Sequence, residues 1–359
     1  MAKKLGALVQ GAGWVSGEHI KAYLANPNVE LVAVNSRFQQ ELDQKKAAYG
    51  LTCELTVDSY EKLLARDDIH VVSICTINFL HTREAVMALE AGKHVLIEKP
   101  ISISLKELRQ LRDAYAKAFA KGVRGQAGFV ARWYPMLRAI RSLVDKGAIG
   151  DIYYAASDYW HEVLGAWKAK PDLAGTSFLM GGCHSVDAIR WFGGSGFEYL
   201  KKQDPKLYKL RSGVGDVAEV FGYNVPARHR KDFEYDPNTF AILRFANGAV
   251  GRVGSSVECN MPYVFNLELM GTKGAIRNDE FWTEDIAGVK TFLRIPTLRP
   301  DSPDVTHHPF QEEIDHFVDC TLNKKANDAD LWHAIGTHEV IFAIDESART
   351  GKPVRLPVL

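Results

Sequence analysis

The sequence predicts a two-domain α/β protein, with a parallel sheet covered by helices followed by an α+β domain built on an open, mostly antiparallel sheet. The chain has 359 residues, which is enough for about two domains with separate cores. Residues 5–120 alternate short apolar runs with helical segments, a pattern typical of βαβ units. Later runs alternate in polarity and are joined by hairpin-like turns. We place the boundary near residue 123, giving domains 1–123 and 124–359.

The predicted elements of the first domain follow one another closely. Strands are expected at 5–10, 29–36, 70–77 and 94–99, and helices at 18–25, 40–49, 60–65, 81–92 and 105–120. Because these strands are apolar on both sides, both faces of the sheet should be covered by helices.

The second domain is expected to begin with a strand at 125–132 and a helix at 136–146. Residues 178–194 predict a helix interrupted by glycines. Long strands are expected within 239–259 and 263–279, with turns at Asn247-Gly248 and at Thr272-Lys273-Gly274. A strand near 291–295 and helices at 310–322 and 328–351 complete the domain. Residues 201–238 are polar and poorly periodic, which predicts an inserted loop region.

Composition excludes several classes of partner. Lys plus Arg and Asp plus Glu are both 44, so no global positive field attracts nucleic acid or an anionic membrane. No apolar run reaches the roughly 18–20 residues of a membrane span. The five cysteines are widely spaced without a CxxC pair, which favours neither disulfides nor a metal site and fits a reducing cytoplasm.

A glycine-rich turn follows the first predicted strand and precedes the first helix. Gly11 permits the tight turn, and Gly13 lets the backbone approach a pyrophosphate. Trp14, Val15 and Ser16 lead into a helix whose N-terminus offers N–H groups and partial positive charge. Ser16 stands where a third glycine is usual, and a small residue suffices there. The turn predicts a dinucleotide cofactor.

The end of the second strand bears on which cofactor is used. An acidic residue there would bind the ribose 2′-hydroxyl of NAD, but residues 34–37 contain none. Ser36 and Arg37 could instead hydrogen-bond a 2′-phosphate. The cofactor is therefore expected to be NAD(P), with NADP favoured, unless Arg37 is simply a solvated loop residue.

The fourth strand delivers Glu98, Lys99 and Pro100 at its carboxyl end, the edge at which open α/β sheets bind ligands. The residue before a proline favours extended geometry, so Lys99 is held out of a helix. It could share a proton with a substrate hydroxyl, and Glu98 could anchor the amide or ribose of the cofactor. The alternative is a surface lysine that merely ends a strand.

At these residues the chain resembles the glucose–fructose oxidoreductase and inositol dehydrogenase (Gfo/Idh/MocA) family through nearly all its length. The resemblance is carried by several segments. They are GAGWVSGEH from residue 11, Thr76-Ile77-Asn78 with His81, AGKHVLIEKP at 91–100, ARWYP with Arg132 and Pro135, Trp167-Lys168, GGCHSVDAIRWFGG at 181–194, and the ending GKPVRLP.

The resemblance implies a Rossmann domain and a C-terminal sheet that commonly forms homodimers or homotetramers. It implies NAD(P)-dependent chemistry on sugars, cyclitols or their derivatives, with Lys99 and His184 as the catalytic pair. Further cofactor contacts are implied for Thr76, Asn78, His81, Trp167 and Lys168. Substrate contacts are expected from Lys99, Arg132, Tyr159, His161, His184, Asp187 and His308.

His184 and Asp187 are three residues apart on one predicted helix and share a face. Imidazole can take and return a proton near neutrality. Asp187 could hold its tautomer or bind a substrate hydroxyl. Many members of the family carry an aspartate four residues before this histidine, where this chain has Met180. The departure puts the substrate class in doubt.

Other candidates are less specific. Tyr159 and His161 end a strand, where aromatic and polar groups suit the two faces of a sugar but equally suit core and rim. His307 and His308 precede a helix and could simply belong to a capped loop. If one of them enters the site, His308 is preferred narrowly. Adjacent residues of an extended segment point to opposite sides, so the two do not form a metal site.

Three functions follow from these residues. The first is hydride transfer between nicotinamide and a sugar carbon. The second uses the nicotinamide as a recycled catalyst for glycoside cleavage: transient 3-oxidation, elimination, water addition and re-reduction, with no net redox change. The third is a non-catalytic cofactor-sensing regulator, which the presence of Glu98, Lys99 and His184 disfavours.

Overall fold

The computed structural model describes residues 4–298, 301–302 and 308–359, which form two compact units. The first unit runs to Gly128 and includes Pro309–Ala334. The second comprises Phe129–His308 and Ile335–Leu359. The chain thus returns to the first unit near its end. The predicted domains, 1–123 and 124–359, have a single boundary and do not include this return. His307 lies outside the described residues.

A six-stranded parallel sheet forms the centre of the first unit. Its strands are β1 Leu5–Gln10, β2 Val29–Asn35, β3 Glu54–Thr56, β4 Val71–Ile74, β5 His94–Ile97 and β6 Gly125–Ala127. The spatial order is β3-β2-β1-β4-β5-β6, so the direction of winding reverses between β1 and β4. This is the strand order of a Rossmann fold. The helices of the unit are Ser16–Ala25, Gln39–Tyr49, Tyr60–Leu64, Asn78–Glu90, Leu105–Ala120 and Phe310–Leu322.

Burial on both faces of this sheet explains its apolar strands. Every residue of β4 and three of the four in β5 are buried. The first helix packs Ile20 and Tyr23 into the core, and helix Phe310–Leu322 adds Ile314 and Phe317 to the same cluster. Each such side chain contributes roughly 1.5–3 kcal/mol when fully buried. The late helix is therefore part of this core.

A mixed, mostly antiparallel sheet of ten strands forms the second unit. Its strands are β7 Ile152–Trp160, β8 Val217–Val225, β9 Asn238–Phe245, β10 Val250–Ser256, β11 Tyr263–Gly271, β12 Gly274–Arg277, β13 Glu280–Thr283, β14 Leu293–Arg294, β15 Asp301–Ser302 and β16 Val354–Arg355. Their order is β14-β13-β12-β11-β7-β10-β9-β8-β16, with β15 paired to β11. The pair β7–β10 is parallel. The predicted fold class is confirmed.

The helices of the second unit are mostly short. They are Pro135–Asp145, Pro171–Ala174, Cys183–Gly193, Leu200–Gln203 and Pro205–Arg211, with 3₁₀ turns at Val130–Trp133 and Ala166–Ala169. A π-helical turn, Phe178–Gly182, precedes helix Cys183–Gly193, where the sequence predicted one continuous helix. The last helix, Leu331–Thr350, begins in the first unit and continues in the second.

The prediction of a loop region over residues 201–238 is wrong. This segment contains helix Pro205–Arg211 and strand β8, which pairs with β9 from Val217 to Val225. Val217 and Val220 are buried, so part of the strand faces the core. The irregular spacing of these apolar residues follows a register shift between Val217 and Glu219. Such a bulge removes the strict alternation by which a strand is recognised.

A buried carboxyl group in the first unit makes stability depend on pH. Asp330 is 1% exposed, and its Oδ1 accepts hydrogen bonds from the Tyr115 hydroxyl at 2.9 Å and the Trp332 N–H at 3.0 Å. Burial raises the pKa of Asp330 to about 7. The unfolded carboxyl titrates near 3.9, so between about pH 4 and 7 the folded state holds an extra proton. The free energy of unfolding therefore falls as pH rises through that window.

We expect Asp330→Asn to be more stable than the parent at about pH 8, by roughly 1–3 kcal/mol, because the amide keeps the acceptor oxygen and carries no charge to bury. The variant should also lose part of the decline in stability between about pH 5 and 7. Urea unfolding followed by circular dichroism measures both effects. Asp43→Asn, at an exposed position, is the matched control. An identical pH dependence in Asp330→Asn and the parent would contradict this origin.

Candidate functional site

The predicted site residues fall in both units. In the first unit, Gly11 has φ of +95°, and a Cβ there would lie 2.8 Å from the carbonyl group of Cys75. Only glycine fits this turn without strain. At Gly13 the nearest atom to an added Cβ is the Cys75 oxygen, 4.0 Å away. The backbone at Gly13 is therefore open to a ligand.

The helix after this turn begins at Ser16 and has no side-chain cap. The buried Ser16 hydroxyl donates to the Gly13 carbonyl at 2.6 Å, and this hydrogen bond stabilises the turn. Val15 is the N-cap residue, and Trp14 is 55% exposed. An open glycine backbone beside an uncapped helix N-terminus suits the pyrophosphate of a dinucleotide.

A carboxylate lies at the end of β2, although residues 34–37 contain no acidic residue. The Ser36 hydroxyl donates to Glu41 Oε2 at 2.5 Å, so the helix after β2 returns an acidic group to the strand end. Arg37 is exposed, with its guanidinium carbon 5.5 Å from the centroid of the Phe38 ring. Sequence reasoning missed Glu41 because it lies four residues after Arg37, in the next helix.

A chain of side-chain hydrogen bonds crosses the carboxyl edge from β2 to β4. Asn35 Nδ2 donates to Gln10 Oε1, and Gln10 Nε2 donates to Glu84 Oε1, both at 2.9 Å. Thr76, a predicted cofactor residue, donates its hydroxyl to Glu84 Oε2 at 2.6 Å. Burial raises the pKa of Glu84 even though Thr76 and Gln10 stabilise its charge. The network fixes the loop that holds Thr76.

Two more predicted cofactor residues begin the helix after β4. Asn78 and His81 are both buried. His81 Nδ1 lies 2.7 Å from the Pro100 carbonyl oxygen and Nε2 lies 3.0 Å from that of Thr76. Carbonyl oxygens only accept, so a neutral imidazole satisfies one contact and an imidazolium satisfies both. His81 therefore ties the Thr76 loop to the segment after Lys99.

Glu98 and Lys99 directly follow β5, at the carboxyl edge of the sheet. Glu98 is buried, and its Oε1 lies 2.9 Å from Nε2 of His19. Its Oε2 accepts from the Lys99 N–H at 3.3 Å. Burial alone would raise the pKa of Glu98, but the hydrogen bond from His19 and the nearby charges, including that of Lys99, hold the pKa below its usual range. The peptide bond between Lys99 and Pro100 is cis.

In the second unit, His184 is buried in the first turn of helix Cys183–Gly193. Its ring stacks on Tyr159 with centroids 5.6 Å apart, and meets Phe129 edge-on at 5.9 Å. The Tyr159 hydroxyl lies 3.2 Å from Nδ1 of His161. His308 meets Tyr134 at 5.5 Å and Tyr263 at 6.0 Å. The structure thus brings four predicted substrate residues together with two tyrosines, Tyr134 and Tyr263, that sequence reasoning missed.

We call these side chains the aromatic cluster. It consists of Tyr134, Tyr159, His161, His184, Tyr263 and His308. Burial raises the pKa of all three tyrosines, so their phenols are neutral near physiological pH. Neutral phenols both donate and accept hydrogen bonds, and their rings are apolar on both faces. The cluster can therefore contact C–H and O–H groups of a polyol together.

Arg132 and Asp187, both predicted to bind substrate, pair with each other. Arg132 Nη2 and Nε donate to the two Asp187 carboxylate oxygens at 2.6 and 2.7 Å. Both side chains are 3% exposed, and the Arg132 guanidinium lies over the Trp191 ring at 5.2 Å. This bidentate geometry binds Asp187, three residues after His184, to the segment before helix Pro135–Asp145.

Trp167 and Lys168 lie in the 3₁₀ turn Ala166–Ala169. Trp167 packs against an apolar cluster that contains Met180, with the Lys168 ammonium 5.8 Å from its ring centroid. Val163, Ala174 and Val257 complete the buried part of that cluster. Met180, at the position of the family's aspartate, is therefore surrounded by apolar groups.

None of the helices in the described residues is both long and apolar enough to cross a membrane. Within residues 4–298, 301–302 and 308–359, no three His, Cys, Asp or Glu side chains are grouped to hold a metal ion. The five cysteines all lie in these ranges and are free thiols.

Comparison with known proteins identifies the family of the chain. Residues 5–124 match the family model described as "Oxidoreductase family, NAD-binding Rossmann fold", and residues 137–277 match the "GFO/IDH/MocA C-terminal domain". The two models together cover most of the chain.

Three similar proteins have named activities. Levoglucosan dehydrogenase of Pseudarthrobacter phenanthrenivorans is 27% identical over 74% of this chain and 71% of its own length. The scyllo-inositol 2-dehydrogenase (NAD(+)) of Bacillus subtilis is 25% identical over 100% of this chain and 98% of its own. The 2,7-anhydro-N-acetylneuraminate hydratase of Mediterraneibacter gnavus is 25% identical over 77% and 68%.

Solved structures share the fold along the whole chain. An oxidoreductase domain protein from Kribbella flavida has a TM-score of 0.83 at 22% identity, over 99% of this chain and 100% of that one. A levoglucosan dehydrogenase in complex with NADH has a TM-score of 0.82 at 20% identity, with the same coverage. With both halves matched by its models and the predicted fold confirmed, the chain belongs to the Gfo/Idh/MocA family of oxidoreductases with an NAD-binding Rossmann fold.

Proposed function

We propose that the protein is an NAD(P)-dependent oxidoreductase that transfers a hydride between nicotinamide and a carbinol or keto carbon of a sugar or sugar derivative. One observation carries the proposal. Lys99 is the second residue after β5, on the same carboxyl edge as the open glycine turn after β1. Open α/β sheets bind their ligands at this edge.

In the proposed mechanism, the bound nicotinamide supplies hydride acceptance or return. Lys99 hydrogen-bonds the reacting oxygen, polarises it and exchanges its proton. His184 is the second proton-transferring group, and stacking on Tyr159 holds its ring. Positioned acid–base groups of this kind contribute typically 10²–10⁴-fold to rate. The neutral tyrosines orient the substrate without adding charge.

The composition of the aromatic cluster supports a carbohydrate substrate. Its ring faces suit C–H surfaces, while its phenols and imidazoles suit hydroxyl groups. The named relatives act on levoglucosan and on scyllo-inositol, which belong to this chemical class. The apolar surroundings of Met180 favour a substrate with no charged group at that point.

The second candidate function is glycoside cleavage through transient oxidation. Its support is the pair formed by Tyr159 and His161, 3.2 Å apart, which offers a proton-transferring group besides His184. The similarity to a hydratase points the same way. In this mechanism the hydride returns to the substrate, so the reduced cofactor would not accumulate.

We expect Lys99→Ala to bind cofactor almost as the parent does and to lose about 100-fold or more in turnover, because it removes acid–base catalysis. Lys99→Arg should also be slow, since a guanidinium keeps the charge but does not release its proton. The assay screens sugars, cyclitols and aryl glycosides, following absorbance of the reduced nicotinamide and release of the leaving group.

Lys106→Ala, at an exposed position in the next helix, is the matched control and should retain activity. Full turnover in Lys99→Ala would refute the assigned role. Release of an aryl group without net change in nicotinamide absorbance would select the second candidate.

The structure alters the argument about cofactor choice. The sequence favoured NADP because no acid follows β2, but the Glu41 carboxylate is hydrogen-bonded to Ser36 at that strand end. A 2′-phosphate there would be repelled, whereas the 2′-hydroxyl of NAD could donate to the carboxylate. The positive charge of Arg37 would attract a 2′-phosphate, but Arg37 is exposed to solvent, which weakens that attraction. We therefore propose that NAD binds better than NADP.

We expect Glu41→Gln to strengthen NADPH binding relative to NADH by about tenfold, because one negative charge near the 2′-phosphate is removed. Arg37→Ala should weaken NADPH more than NADH. Fluorescence titration of both reduced cofactors gives the ratio of the two Kd values. Glu61→Gln, exposed on another helix, should leave the ratio unchanged. An unchanged ratio in Glu41→Gln would exclude the carboxylate from this role.

We also propose that two copies associate through the solvent-exposed face of the second sheet, the face that carries Tyr223, Phe240 and Ile242. Tyr223 and Ile242 on this face are 63% and 58% exposed, and Phe240 is 39% exposed beside them. Tyr223 is the cross-strand partner of Phe240. Contiguous exposed apolar side chains on a sheet favour association. The same face of a second copy can cover them in a closed, two-fold symmetric dimer.

We expect Ile242→Asp to shift the protein from dimer or tetramer toward monomer, because a charge would be buried at the interface. Light scattering after gel filtration measures the mass, and circular dichroism checks the fold. Leu24→Asp, an exposed apolar position in the first unit, is the control. A monomeric parent would contradict the proposal directly.

A further inference from the structure

We propose that His19 is a positioning residue of the cofactor site, which orients the Glu98 carboxylate to accept a hydrogen bond from the carboxamide amino group of nicotinamide. The inference rests on the proposed function and deepens it. It assigns a role to His19, which lies far from Lys99 in the sequence. All residues that carry it belong to the first unit.

A buried line of hydrogen bonds leads to Glu98. The Tyr23 hydroxyl lies 2.7 Å from Ser73 Oγ, which lies 3.1 Å from His19 Nδ1. His19 Nε2 lies 2.9 Å from Glu98 Oε1. Tyr23, Ser73 and His19 are fully buried, and Glu98 is nearly so. A fully satisfied polar line in the interior fixes the orientation of its last member.

The direction of the line follows from its ends. A carboxylate only accepts, so Nε2 of His19 must donate to Glu98. In the neutral imidazole, Nδ1 then accepts from the Ser73 hydroxyl, and Ser73 accepts from Tyr23. Burial raises the pKa of Tyr23, which keeps that phenol a donor. Each group thus has one role, and reversing any of them would leave a buried donor or acceptor unmatched.

The other side of the carboxylate is fixed by the backbone. A Cβ added at Gly128 would lie 2.9 Å from Glu98 Oε1 and 3.1 Å from Oε2, so this glycine makes room for the group. The Lys99 N–H contributes a longer contact of 3.3 Å to Oε2. A carboxylate offers about four acceptor positions, so capacity remains for a ligand.

The carboxamide is the expected partner because of where Glu98 lies in the sheet. The glycine turn that suits the pyrophosphate follows β1, and Glu98 follows β5 in the other half of the doubly wound sheet. The nicotinamide half of a dinucleotide occupies that second half. Its carboxamide NH₂ group donates hydrogen bonds and complements a pure acceptor.

The loss of His19 should therefore be felt at one functional group of the cofactor. Without the imidazole, Glu98 would lose the hydrogen bond that orients Oε1 and that helps to hold its pKa low. An analogue in which an acetyl group replaces the carboxamide lacks the amino group and has nothing to donate to Glu98. A ribose hydroxyl is present in both molecules, so the analogue distinguishes the two cofactor donors.

The experiment compares Kd values of NAD⁺ and its 3-acetylpyridine analogue by fluorescence or calorimetric titration, without turnover. We expect His19→Leu to weaken NAD⁺ about tenfold, the scale of a hydrogen bond to a charged group, and the analogue by about twofold or less. His19→Gln, whose amide can donate in place of Nε2, should recover most of the affinity for NAD⁺. His94→Leu, at the other end of β5, is the matched control.

Gly128→Ala provides an independent test if His19→Leu fails to fold, since the added methyl displaces the carboxylate directly. It should show the same selective loss of NAD⁺. Equal weakening of both ligands in His19→Leu or Gly128→Ala would overturn the inference and leave a ribose contact or a purely structural role. A parent protein that binds neither ligand would overturn the proposed function as well, which is a distinguishable result.

Discussion

The constraint on which the candidate site depends is the parallel direction of all six strands in the first unit. Parallel strands bring their carboxyl ends to one edge, so residues far apart in sequence meet there. The turn at Gly11, the hydroxyl of Ser36, the loop at Thr76 and the pair Glu98 and Lys99 all follow such ends. No single segment could supply these groups.

Side chains beneath that edge hold it in place by hydrogen bonds rather than by apolar packing alone. Gln10, Asn35 and Glu84 link three elements, while His19 and Ser73 link two others. Buried polar groups are costly unless they are paired, so each link allows only one arrangement of the loop it supports. Residues at the edge are thus oriented before any ligand binds, which lowers the entropic cost of binding.

The sequence predicts candidate site residues where they are neighbours along the chain. Gly11 to Ser16 and Glu98 to Pro100 form local patterns with a physical meaning of their own. His19 and Glu41 could not be found in this way, because a histidine or a glutamate within a helix is ordinary. Their meaning arises from partners, Glu98 for one and Ser36 for the other, whose proximity only the folded sheet creates. Strand β8 was not predicted because a bulge interrupts its alternation of apolar and polar residues.

The pairing of Arg132 with Asp187 bears on how His184 is held. Both charges are buried, so losing one partner would leave the other unpaired at a cost of about 3–5 kcal/mol. Both Asp187 oxygens already accept hydrogen bonds from Arg132, which leaves fewer hydrogen-bonding positions for a substrate. Asp187 lies in the same helix as His184, and Arg132 lies beside the aromatic ring of Trp191. The ion pair therefore fixes the position of the helix that carries His184.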